Sequence, residues 1–153
     1  MDRNYQLKTP FGKIALSLSG GGYRAAAFHL GSMAYLHKAK YNGVSLLENV
    51  KIISTVSGGT ITGVFYAYRI KEGDTFPEIC KKLFALMSPG NEDPSGKVDL
   101  LKEPLELLRN EEEWDEENAH KRRNLINAIA LVYDKKITKG ATFIRLWTKR
   151  RSK

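Results

Sequence analysis

Two stretches of this chain each run from an apolar, strand-like segment through a cluster of glycines into a helical one. The first is Lys13-Ile-Ala-Leu-Ser-Leu18, then Ser19-Gly-Gly-Gly22, then a segment from Arg24 to about Lys40 that places Ala26, Leu30, Met33, Ala34 and Leu36 at helical spacing without a proline. The second is Val50-Lys-Ile-Ile-Ser-Thr-Val56, rich in β-branched residues, then Ser57-Gly-Gly59, then a helical run through Ile61, Val64, Phe65 and Tyr68. Strand, helix, strand, helix at this spacing predicts two parallel strands in one sheet, joined by a right-handed crossover. Asn42-Gly43 reads as the close of the first helix.

Beyond Gly73 the pattern turns helical, over Phe76 to Met87, Leu100 to Arg109 and about Asn118 to Tyr133. Ser88-Pro-Gly-Asn-Glu-Asp-Pro-Ser-Gly96 between them is a loop of turn residues, and Glu111-Glu-Glu-Trp-Asp-Glu-Glu117 reads as a solvated face. Two parallel strands do not make a stable sheet by themselves, so the expected fold is part of a larger α/β domain.

The 153 residues, 42% hydrophobic and 27% charged, suffice for one domain with a core. No apolar run reaches the roughly 18–20 residues that span a bilayer, and Met1-Asp-Arg-Asn-Tyr-Gln-Leu-Lys8 lacks the apolar segment of a signal peptide. The expected compartment is cytoplasmic. A lone cysteine, Cys80, has no internal disulfide partner, and its neighbours fit an amphipathic helix rather than a metal site. The net charge of +8 is concentrated: residues 1–119 hold 14 Lys/Arg against 16 Asp/Glu, whereas residues 120–153 hold 11 against 1. The basic tail 149–153 reads first as a solvated tail, and otherwise as a cluster that attracts nucleic acid or anionic lipid, the latter at about 1 kcal/mol per cation near a membrane surface.

The glycine clusters carry the chemistry. Gly20, Gly21 and Gly22 allow positive φ and close approach of a ligand, and the helix that follows aims its first N–H groups at the same point, which favours an anion. Gly20-Gly-Gly-Tyr-Arg-Ala25 also fits the dinucleotide pattern G-x-G-x-x-A, but that reading needs an acidic residue at the end of the next strand, which here ends Thr55-Val-Ser-Gly-Gly59. The Gly-Lys-Ser/Thr of a phosphate-binding loop is absent. Thr55-Val-Ser-Gly-Gly59 fits a nucleophile elbow, G-x-S-x-G, with threonine for the first glycine. Such a turn holds a serine hydroxyl out at the sheet's C-terminal edge while small neighbours let strand and helix approach. The plainer reading is that Ser57 caps the helix. A donor loop at the end of the neighbouring strand favours catalysis.

In this arrangement Gly20-Gly-Gly-Tyr-Arg24 resembles the G-G-G-x-R oxyanion loop of the patatin-like phospholipases, and Val56-Ser-Gly-Gly59 resembles the elbow of their bacterial members, in the same order and at the same spacing. Residues 122–134 are a weaker match to a helical segment of bacterial relatives. The resemblance implies a three-layer α/β/α domain with a parallel sheet, of which residues 1–153 would be the N-terminal portion, truncated before its second half. It implies a carboxylic-ester hydrolase acting on lipid acyl esters through a Ser–Asp dyad, without cofactor or metal. It makes Ser57 the nucleophile, Gly20, Gly21, Gly22 and Gly58 the oxyanion donors, and Arg24 the organiser of the loop. The expected partner is a lipid or acyl-ester substrate; nucleic acid is not expected, and the sequence does not set the oligomeric state.

The general base is missing from the pattern. The family's aspartate precedes glycine, and none of Asp2, Asp74, Asp93, Asp99, Asp115 and Asp134 does. A histidine base is a weak substitute: only His120 follows Ser57, among cations, and His29 and His37 lie on one helix face where local packing or hydrogen bonding is expected. The alternative from another class is a non-catalytic remnant or a basic surface-binding module.

Overall fold

The structure, a computed structural model, describes residues 11–88, 92–93, 96–97, 100 and 102–140. The chain divides into two units, Met1–Gly63 and Val64–Lys153.

In the first unit β1 (Ile14–Leu18) leads into α1 (Gly22–Lys38), and a short hairpin of β2 (Lys40–Tyr41) and β3 (Val44–Ser45) follows. A single 3-10 turn (Leu46–Asn49) then enters β4 (Val50–Thr55), and α2 (Gly58–Glu72) begins one turn later. β1 and β4 pair in parallel, as the spacing predicts, with Leu18 opposite Thr55 at their C-terminal ends. Alternation along the strands separates two faces. Ala15, Ser17, Ile52 and Ser54 are exposed, whereas Leu16, Leu18, Ile53 and Thr55 on the other face are covered to varying degrees and Leu18 is fully buried.

The first helix ends two residues earlier than the spacing suggests. Asn42 and Gly43 both have positive φ (51° and 80°), the geometry of a two-residue hairpin turn, and they join Tyr41 to Val44 instead of capping α1. Lys40, expected at the helix end, is the first residue of β2. Within α1, Ala26, His29, Leu30 and Met33 are buried, at the i, i+3, i+4, i+7 spacing of one helix face. His37 and Lys38 in its last turn suit the negative end of the helix dipole.

The second unit holds α3 (Phe76–Met87), as read from the sequence, with Phe76, Ile79, Leu83 and Leu86 buried. Its start is fixed by Glu78, whose carboxylate accepts from the Thr75 N–H (2.8 Å) and hydroxyl (2.7 Å). Glu92–Asp93 and Gly96–Lys97 form a minimal antiparallel ladder, β5 and β6, within and just past the predicted loop Ser88–Gly96. α4 (Glu103–Arg109), α5 (Glu111–Asn118) and α6 (Leu125–Tyr133) follow, then a π-helical turn (Asp134–Thr138); α4 packs on both α5 and α6.

The predicted helix from Asn118 to Tyr133 is therefore corrected to Leu125–Tyr133. Asn124 caps it, its side-chain oxygen accepting from the Asn127 N–H at 2.9 Å. The acidic run is itself α5, opened by Asn110, whose side-chain oxygen accepts from the Glu113 N–H at 3.2 Å. Glu111, Glu112 and Glu113 are exposed as expected, but Trp114 between the acidic residues is buried and its indole N–H donates to the Lys121 carbonyl at 3.3 Å. The basic tail 149–153 lies outside the described residues.

Candidate active site

Parallel pairing in register brings both glycine turns to the same edge of the sheet. Leu18 and Thr55 lie opposite each other, so Gly20–Gly22 and Ser57 leave neighbouring strands at one level. The contact between the turns is close: a Cβ placed on Gly20 would sit 3.1 Å from Ser57 Cβ and 3.8 Å from Ser57 Oγ. One placed on Gly58 would collide with the Gly22 backbone, 2.1 Å from its carbonyl oxygen and 2.7 Å from its nitrogen. Only glycine fits at position 58.

Ser57 has φ 50°, a left-handed conformation that a non-glycine residue adopts at a cost of order 1–3 kcal/mol. It is exposed, and its side chain makes no hydrogen bond among the described residues. A capping serine would instead have extended backbone and accept from an N–H of the first turn. The Thr60 N–H, which would serve, donates to the Ser57 carbonyl at 2.8 Å. Capping thus lacks its geometry, whereas a strained serine raised on a strand-to-helix turn has the elbow's.

The elbow depends on how closely α2 approaches the strands. A Cβ on Gly59 would lie 2.3 Å from the Leu18 carbonyl oxygen, and one on Gly63 would lie 2.4 Å from Thr55 Cγ2, 3.2 Å from Leu18 Cδ1 and 3.4 Å from Ile53 Cγ2. Gly63 thereby makes room for the methyl group that Thr55 adds to the motif. The Thr55 hydroxyl accepts from the Thr60 hydroxyl at 3.2 Å, and the Thr62 hydroxyl anchors α2 to α1 by donating to the Ala26 carbonyl at 2.8 Å. Gly63 plays no part in the sequence motif, and its role shows only when strand and helix are set together.

In the loop itself Gly21 (φ 136°) and Gly22 (φ 61°) have positive φ, and Gly20, Gly21 and Gly22 are all exposed. The N–H groups of Gly20, Gly21, Gly22 and Gly58 have no protein acceptor among the described residues. Four donors beside an accessible hydroxyl can stabilise a developing oxyanion, and such donors contribute about 2.7–4 kcal/mol each in hydrolases where one has been removed. A family model described as patatin-like phospholipase matches residues 16–148. The chain belongs to the patatin-like phospholipase family. Membership assigns the protein to lipid hydrolysis in general terms. Comparison with curated proteins and with solved structures found no match.

Other residues that the sequence singles out stand as follows in this patatin-like chain. Arg24 is exposed and makes no hydrogen bond or ion pair among the described residues, so the organising role that the resemblance implies has no contact to act through here. His29 does not reach Ser57; its Nε2 lies 2.9 Å from the Ser19 carbonyl oxygen, a local hydrogen bond of the kind expected. His120 is exposed beyond α5, and Cys80 on α3 is a free thiol. The only carboxylate among residues 11–63 is Glu48, at the far end of β4 from Ser57. Six strand residues at about 3.3 Å each put roughly 20 Å between the strand's ends, too far for proton transfer. Among the described residues no group of three His, Cys, Asp or Glu side chains is placed to hold a metal ion, and no helix is long and apolar enough to cross a membrane.

Proposed function

We propose that this patatin-like protein carries the nucleophile and oxyanion hole of a lipid acyl hydrolase. Ser57 Oγ attacks the ester carbonyl, and the N–H groups of Gly20, Gly21, Gly22 and Gly58 receive the charge that develops on the carbonyl oxygen. Collapse of the tetrahedral species expels the alcohol and leaves an acyl group on Ser57, which water then removes. The observation that carries this reading is the left-handed Ser57 beside an exposed glycine loop, at the end of parallel strands that pair in regular register from Ala15 to Leu18. The carboxylate that would take the serine proton lies outside residues 11–63, and a Ser–Asp dyad completed from elsewhere fits the family. The setting proposed is cytoplasmic, with peripheral contact at a membrane surface.

None of the six aspartates of this sequence precedes glycine, so no residue matches the family's base, and losing a triad member costs several orders of magnitude in rate. The 153-residue chain should therefore hydrolyse short acyl esters barely above background. Treatment with a fluorophosphonate, followed by peptide mapping, is expected to find slow modification at Ser57 and none in Ser57→Ala. Modification at another residue with Ser57 untouched would refute the assignment. Robust ester turnover lost in Ser57→Ala would keep the nucleophile but bring the base within this chain.

A further inference from the structure

A loop of three consecutive glycines has the freedom to approach an oxyanion, and for the same reason it does not hold its own peptides in one direction. A flip of the Ser19–Gly20 peptide would exchange the Gly20 N–H for the Ser19 carbonyl, presenting an acceptor where a donor is needed. Some group outside the loop has to prevent that flip. Among the described residues Arg24 makes no hydrogen bond that could do so, but His29 does.

We propose that His29 is a positioning residue that sets the direction of the Gly20 N–H by holding the Ser19 carbonyl. This inference rests on the reading of Ser57 and the glycine loop given above. His29 lies about two turns into α1, on the face that buries Ala26, Leu30 and Met33, and is 5% exposed. Its Nε2 is 2.9 Å from the Ser19 carbonyl oxygen and 3.5 Å from the Ser19 hydroxyl, so the carbonyl is the principal partner. A carbonyl only accepts, which places the imidazole hydrogen on Nε2. The peptide bond is trans and planar, so the Gly20 N–H points opposite to the Ser19 C=O. Drawing that oxygen toward α1 turns the Gly20 N–H away from it, on a residue that stands directly against Ser57. The preceding peptide is held as well, because the Leu18 carbonyl accepts from the Val56 N–H at 3.0 Å. α1 thus supplies through one buried side chain the rigidity that the glycines lack.

The test uses the 153-residue chain and phenylboronic acid, followed by ¹¹B NMR. Boron binds Ser57 Oγ and becomes a tetrahedral anion while the hydroxyl proton passes to water. This is an equilibrium, so a missing general base slows it without abolishing it. The wild-type chain should form the tetrahedral adduct; His29→Leu, which keeps bulk but no donor, should weaken it at least tenfold; and His29→Gln, whose amide N–H can reach the same carbonyl, should recover most of the affinity. In parallel, ¹⁵N spectra of the wild-type imidazole should show hydrogen on Nε2 and not on Nδ1. A merely structural role would leave adduct affinity unchanged in any variant that folds. Equal affinity in folded His29→Leu, no gain in His29→Gln over His29→Leu, or hydrogen on Nδ1 would each overturn the proposal. If His29→Leu does not fold, the glutamine variant measured against wild type, together with the tautomer, decides. Failure of the wild-type chain itself to form an adduct at Ser57 would instead overturn the functional reading and the inference with it.

Discussion

At the scale of single residues, the site turns on how much room α2 leaves. Thr55 departs from the elbow pattern by its bulk, and Gly63 accommodates that bulk by having no Cβ within 2.4 Å of the threonine methyl. The two positions should therefore be coupled. Gly63→Ala alone should destabilise the chain by about 1–3 kcal/mol through overpacking, and Thr55→Ser, which deletes the methyl, should reduce that loss when combined with it. A double-mutant cycle from urea unfolding checks this, with a coupling of about 0.5 kcal/mol or more expected; strict additivity would show that the methyl does not set the spacing. The residues of the proposed site at this scale, Ser57, Gly58 and Gly20–Gly22, are legible in the sequence because local motifs define them. Gly63 and the hydrogen bond from His29 to Ser19 were not legible, since each depends on which face of a helix meets which strand.

At the scale of elements, the starts of helices are fixed by side chains that compete with simple periodicity. Apolar spacing suggested a single helix from Asn118, yet Asn124 offers its side chain to the Asn127 N–H and restarts the helix there. Asn124→Ala should lower stability by about 1 kcal/mol, read as a shifted urea midpoint with an unchanged slope. The hairpin at Asn42-Gly43 illustrates the same point, because an Asn-Gly pair serves a helix end or a turn equally well until the flanking residues pair. A further link joins the end of α2 to α3: Asp74 accepts from both Arg69 and Lys82. Burial pushes the Asp74 carboxyl up, but hydrogen bonds from Lys82 and Arg69 and their charges outweigh it and hold the group below its ordinary 3.8. A depressed carboxylate stabilises the fold above that value and loses the contribution as pH falls through the folded value. Asp74→Asn should therefore be less stable than wild type at pH 7, and the gap should close below about pH 3.8. A gap of constant size down to pH 2 would mean that the carboxylate charge contributes nothing.

At the scale of the whole molecule, the parallel α/β class follows from two strand–glycine–helix units in succession. The second unit was harder to read, because its helices are short and are bounded by caps and by an acidic run that holds a buried tryptophan. The proposed nucleophile and donors all lie in the first unit, whose described residues hold one carboxylate, Glu48, at the far end of β4. The central claim is that these parts are already arranged for a tetrahedral oxyanion. The most direct measurement is the ¹¹B NMR spectrum of the 153-residue chain with phenylboronic acid, for wild type, Ser57→Ala and Gly58→Ala. The account predicts a tetrahedral boron signal in wild type that is absent in Ser57→Ala and strongly reduced in Gly58→Ala, whose methyl group would strike the Gly22 carbonyl. No tetrahedral signal in wild type, or the same signal in Ser57→Ala, would contradict it.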